Sequence, residues 1–267
     1  MSSKLNELLK IVTPGAFVLQ SWLTEQGISR QLAYKYAQSG WLNRVSSGVY
    51  VRPGKLASWF DAVAAVSQQT DVSISLAGLS SLTYQGRAHY LTFNEKEVWL
   101  STESKAKLPL WLKHFSQLES PDLDPKQPAL NFLQYTAFDN VSDADFIDVD
   151  VNGVKVKASR PELAAFELLE LVPNQISFEH AAHLFEGLVN LSPRKVQSIL
   201  ERSHAVKTNR LYLFLAHYYN HDWLKRVDES KVRLGAGMRQ IITGGKVDKA
   251  YQITVPQNFM NLESANG

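Results

Sequence analysis

Apolar positions recur at helical spacing from the start of the chain: Leu5, Leu8, Leu9 and Val12 share one face, and "TPG" at 13–15 stops the run. A second helix is predicted over Phe17–Gln26, closed by Gly27. Ser29 is a good N-cap for a third, whose buried face is Leu32, Ala33, Tyr36 and Ala37, and Gly40 ends it. The period then shortens to that of a ribbon, with strands over Leu42–Val45 and Val49–Arg52 joined by "SSG" and stopped by Pro53–Gly54. Helices are expected next at Leu56–Gln69 and Ser75–Tyr84.

From Phe93 the pattern becomes extended. "EVWLS" and "ALNFLQY" read as strands, and "FIDVDVNGVKVKAS" as a hairpin turned at Asn152-Gly153. After Arg160-Pro161 the helical period returns, over Glu162–Leu171, Phe178–Leu191, Ser192–Ser203 and Leu211–Val227. Glycine turns around short strand-like runs follow, and the end "NLESANG" is expected to fray. The fold class is therefore α+β: an N-terminal winged helix-turn-helix, then a mixed α/β C-terminal domain of strands followed by a helical, bundle-like part. The domains are expected at 1–92 and 93–267.

Composition changes this picture little. The 267 residues can bury a real core, there are no cysteines, and no apolar run is long enough to span a membrane. No signal peptide is visible, so a cytoplasmic protein without a membrane partner is expected.

Charge changes it more. Residues 1–55 hold seven Lys/Arg and two acids; 56–190 hold nine and eighteen; 191–267 hold twelve and six. A basic start fits the three helices and ribbon, because a narrow helix enters the DNA major groove and a wing lies along the backbone. The helix face opposite the core presents Arg30, Gln31, Tyr34, Lys35 and Gln38, with Ser29 at its cap. The wing presents Arg44, Ser46, Ser47 and Arg52, while Trp41, Leu42 and Tyr50 are expected to hold it to the core. Winged helices also serve as protein-binding modules, but the basic balance favours DNA.

Catalytic look-alikes give way to structural explanations. Asp148 and Asp150 share a strand face, yet no Gly-Ser phosphate turn precedes them. His180 and His183, and His217 and His221, have helical spacing but lack a third ligand. "GAG" at 235–237 and "TGGK" at 243–246 read as turns, since no Ser or Thr follows the lysine. Lys225, Arg226, Lys231, Arg233, Arg239, Lys246 and Lys249 form a second basic stretch. No catalytic set, metal site or cofactor site is expected.

The segment "SGWLNRVSSGVYV" resembles the winged-helix segment of AbiEi-type antitoxins of bacterial toxin–antitoxin systems. "LAGLSSLTYQGRAHYL", "LSPRKVQSILERSHAVKTNRLYLFLAHYYNHDWLKRVD" and "LGAGMRQIITGGKVDKAYQITVP" are similar to later segments in the same order, so the resemblance covers nearly the whole chain. It implies an N-terminal domain that represses its own operon at inverted repeats in operator DNA. It implies a C-terminal domain that counters an AbiEii-like, nucleotidyltransferase-like toxin, described as type IV, without a stable complex. Two other readings remain: an enzyme of nucleic acid or protein targeted by a winged helix, and a plain regulator with a sensing or oligomerising domain.

Overall fold

The structure, a computed structural model, describes residues 2–87, 96–151 and 153–260. The expected domain boundary at 92/93, Asn152 of the hairpin turn and the tail "NLESANG" lie outside the described residues. In chain order the first elements are α1 (Ser2–Ile11), β1 (Phe17–Leu19), α2 (Gln20–Glu25), α3 (Arg30–Gln38), β2 (Asn43–Ser46), β3 (Val49–Val51) and α4 (Trp59–Gln69). Then come β4 (Ile74–Leu76), α5 (Gly78–Tyr84), β5 (Glu97–Glu103), α6 (Leu110–Lys113), β6 (Ala129–Tyr135), β7 (Phe146–Val151) and β8 (Val154–Ser159). The last are α7 (Pro161–Glu170), α8 (Phe178–Glu186), α9 (Pro193–Arg202), α10 (Val206–Tyr218), β9 (Lys246–Asp248) and β10 (Ile253–Val255). The chain divides into two compact units, one of Met1–Ser75, Asn94–Gln134 and Asp148–Lys157, the other of Leu76–Phe93, Tyr135–Ile147 and Ala158–Gly267.

The first unit begins with α1, β1, α2, α3 and the β2–β3 ribbon, the element order of a winged helix-turn-helix. The expected helix over Phe17–Gln26 is shorter than its periodicity suggests. Phe17, Val18 and Leu19 are all buried and extended, and they pair antiparallel with β3 in the register Phe17↔Val51, Val18↔Tyr50, Leu19↔Val49. Three consecutive buried residues suit a strand buried on both faces, and the long-range pairing outweighs local propensity. The free edge of β1 is closed by Gln69 of α4, which accepts from the Leu19 N–H (2.9 Å) and donates to the Phe17 carbonyl (2.8 Å).

A five-stranded sheet has the order β6-β5-β4-β8-β7. Its strands at Ala129–Tyr135, Phe146–Val151 and Val154–Ser159 fall where the alternation placed them. The expected helix over Ser75–Tyr84 is split: Ile74–Leu76 is buried strand, and α5 starts only at Gly78. Gly78 stands at φ +47°, and its N–H donates to Glu167 Oε2 at 2.8 Å. A Cβ there would make only ordinary contact with the Leu168 backbone, so it is the left-handed φ that calls for glycine.

The second unit is built around α7 and α10, which are buried on most sides and packed with α8 and α9 in one apolar cluster. The expected helix over Leu211–Val227 starts earlier, at Val206, and stops at Tyr218, because Asn220 takes φ +50° and breaks it before a 3-10 turn over Asp222–Arg226. The expected Phe178–Leu191 helix ends at Glu186, just before Gly187. β9 and β10 form the closing hairpin.

Candidate nucleic-acid interface

Helix α3 begins where the serine requires it: Ser29 Oγ accepts from the Leu32 N–H at 3.3 Å. Ala33 and Tyr36 are buried with Leu8, Leu23, Ile28 and Leu42, and Leu32 and Ala37 flank them. Gly40 ends the helix at φ +76°, a left-handed position that turns the chain into β2. With one face fixed by the core, the other follows from the 3.6-residue period. Arg30, Gln31, Tyr34, Lys35 and Gln38 are all exposed, as is Ser29. Among the described residues, none of those five side chains makes a hydrogen bond or ion pair within the protein. Their donors and acceptors face solvent and are free to meet a ligand.

The ribbon places Arg44 and Ser47 on the surface and leaves Ser46 half-buried. Arg44 Nε donates to the Ser46 carbonyl at 3.2 Å, beside an irregularity in the β2–β3 register. The Gly48 carbonyl accepts from Gln20 N–H at 2.8 Å, which ties the tip to the start of α2.

One expectation for this region is corrected, and one expected wing cation is already engaged within the protein. Arg52 Nη1 donates to the Leu9 and Val12 carbonyls at the end of α1. Its guanidinium caps carbonyls that α1 leaves without intrahelical partners. Trp41, expected in the core, is 46% exposed at the junction of α3 and β2, whereas Leu42 and Tyr50 are buried as expected. The sequence pattern could not separate Trp41 from Leu42, since both follow the helix-ending glycine.

Further supports were not legible in the sequence, because they join residues far apart along it. Lys4 Nζ donates to the Gly27 carbonyl (2.8 Å), and Asn43 Nδ2 to Asp122 Oδ2 (2.5 Å). The catalytic look-alikes do not converge. Asp148 and Asp150 are exposed along β7, with Asp150 accepting from the Gly153 N–H at 2.9 Å. His180 and His183 are exposed, His217 meets Glu229 at 2.7 Å, and His221 is buried against the Phe185 carbonyl. Among the described residues, no three His, Asp or Glu side chains are grouped to hold a metal ion. No helix among them is long and apolar enough to cross a membrane. In the later basic stretch, Lys225 pairs with Asp222 at 2.6 Å and Lys231 with Asp228 at 3.6 Å.

The fold and this surface define an α+β protein of the winged helix-turn-helix class. Family comparison is more specific. Residues 1–93 match the N-terminal domain of the AbiEi antitoxin transcriptional regulators, and 95–256 match the AbiEi antitoxin, transcriptional regulator of a type IV toxin–antitoxin system. The chain belongs to this family of antitoxin transcriptional regulators. The crystal structure of the RV2827C protein from Mycobacterium tuberculosis shares its fold, with TM-score 0.58 and 14% identity over 94% of this chain and 89% of that one. Among curated proteins, no sequence match is found.

Proposed function

We propose that the chain represses its own operon by binding inverted repeats in operator DNA through α3 and the wing, and that it counters a nucleotidyltransferase-like toxin. The observation that carries the DNA reading is the α3 face. Arg30, Gln31, Tyr34, Lys35 and Gln38 line one exposed side, unengaged within the protein among the described residues, on a helix whose other side is fixed by the core. Arg and Gln at these positions suit base edges in the major groove. Arg44 and Ser47 at the wing suit phosphate oxygens, which fix register without reading sequence. Arg52, whose Nη1 is held at the end of α1, is given a supporting role beside them.

Repression is assigned to the winged helix and toxin neutralisation to residues 93–267. The protein acts in the cytoplasm, and no catalytic step is assigned to it. The deciding experiment is fluorescence anisotropy of the full chain on duplex DNA from upstream of its operon, repeated across a salt series. Log affinity should fall linearly with log salt, by about 0.9 per phosphate contact neutralised. A flat salt profile, or equal affinity for scrambled duplex, overturns the reading.

A further inference from the structure

Arg210 of α10 is buried, and its guanidinium donates to main-chain carbonyls alone. Nε reaches Leu234 O (2.6 Å), Nη1 reaches Gly237 O (2.6 Å) and Gln252 O (3.1 Å), and Nη2 reaches Gly235 O (3.0 Å). Asn209 Nδ2 adds a bond to Arg233 O at 3.0 Å. In a trans peptide, the C=O and the following N–H point in opposite directions. Inward carbonyls at 233, 234, 235 and 237 therefore turn the N–H groups of Leu234, Gly235, Ala236 and Met238 outward.

None of these four N–H groups has an acceptor among the described residues, and Gly235 through Met238 are exposed. Gly235 and Gly237 stand at φ +61° and +73°, while Ala236 between them does not have a positive φ. Such alternation curls successive N–H groups into a concavity that suits an anion. Behind it, Arg210 polarises the same peptides with their positive ends outward, the electrostatic arrangement of a helix N-terminus.

Arg239 completes the group. Its backbone is pinned by bonds from its N–H to Gln252 O (2.8 Å) and from the Thr254 N–H to its carbonyl (3.1 Å). Its guanidinium nitrogens lie 3.8 and 3.9 Å from where side chains would start on Gly237 and Gly235. Neither Arg210 nor Arg239 pairs with a carboxylate among the described residues. Burial, and then the Arg239 charge, pull the Arg210 guanidinium below its ordinary value. Two like charges thus stand beside four free donors.

We infer that residues 234–239 form an oxyanion site for a phosphate group, with the loop N–H groups as cradle and Arg239 as the neutralising cation. The phosphate comes either from a free phosphate compound or from a nucleic-acid backbone. The site shares no residue with α3 or the wing.

The test is NMR of full-length protein selectively labelled with 15N-glycine and 15N-alanine, at ionic strength held constant with sodium chloride. It is titrated separately with inorganic phosphate, ATP and a short DNA duplex. The expected result is saturable movement of the Gly235 and Ala236 amides, with affinity at least about tenfold weaker in Arg239→Gln. Arg239→Lys should recover part of that loss, and an unchanged thermal midpoint shows that both variants fold. Saturation by phosphate or ATP assigns the small-molecule source; saturation by duplex alone, persisting in Arg30→Ala/Lys35→Ala protein, assigns the backbone. Amides unmoved by all three probes at about 10 mM, or moved equally in Arg239→Gln, overturn the inference.

Discussion

Arg30 and Gln31 stand in the first turn of α3, and Arg44 on the wing, so under the proposed DNA reading the three side chains test two kinds of contact. Replacing Arg30 or Gln31 by Ala should cost about 1–3 kcal/mol on the operator and little on random duplex, because bidentate base contacts carry the discrimination. Arg44→Ala should weaken both duplexes nearly equally and lower the salt slope by about 1. Anisotropy on the two duplexes checks this, and unchanged binding in all three variants would mean that α3 does not face DNA. Arg52 behaves differently, because it holds the end of α1. Arg52→Ala should lower unfolding stability by about 1–3 kcal/mol, the cost of stripping half-buried carbonyls of a charged donor. Denaturant unfolding measures it, and the folded fraction should still bind the operator normally.

His221, at the turn after α10, gives a pH prediction of definite sign. Burial lowers its pKa from 6.5, against the opposing pull of the Phe185 carbonyl and Glu186. The unfolded chain thus takes up a proton at a higher pH than the folded one. The contribution is full above about 6.5 and is lost as pH falls toward the folded value. Thermal midpoints measured down through that window should fall more steeply for wild type than for His221→Gln. Parallel slopes would show that this imidazole does not titrate differently on folding.

At the scale of elements, α3 and the β2–β3 ribbon were legible because their signals are local. A serine N-cap, a helix-ending glycine and a short alternating run need no distant partner. The hairpin strands β7 and β8 were legible for the same reason. The strands β1 and β4 were not, since "FVL" and "ISL" also fit a buried helix turn, and only pairing with distant strands decides them. Likewise, α10 began earlier and ended sooner than its aromatic run suggested. Its end is set by Asn220, a residue that tolerates the left-handed conformation without demanding it.

At the scale of the molecule, the chain passes repeatedly between its two compact units, and the first includes residues 94–134 and 148–157. A simple cut near residue 92 would remove strands that complete the sheet containing β4. Point variants of the full chain are therefore the better way to separate functions. If the proposed toxin partner is identified and co-expressed, Arg30→Ala/Lys35→Ala protein should lose the proposed promoter repression in a reporter assay yet still rescue growth. Loss of rescue by soluble double variant would mean that neutralisation runs through DNA binding, and the chain would then be a plain repressor.

The sequence by itself determined the polar face of α3, the wing, the later hairpin strands and the resemblance that led to the family. Each depends on residues close together in the chain, where period, caps and turn chemistry act directly. Tertiary structure alone decided which arginines are tied to distant parts of the fold. Arg44 and Arg52 flank the same ribbon with the same charge, but only Arg52 meets the carbonyls of α1, from which some forty residues of chain separate it. Arg210, unremarked in the sequence, becomes the buried charge that orders the glycine loop, because folding brings carbonyls 24 to 42 residues away onto one guanidinium. A charge is legible in sequence, but its partners are set by three-dimensional distance.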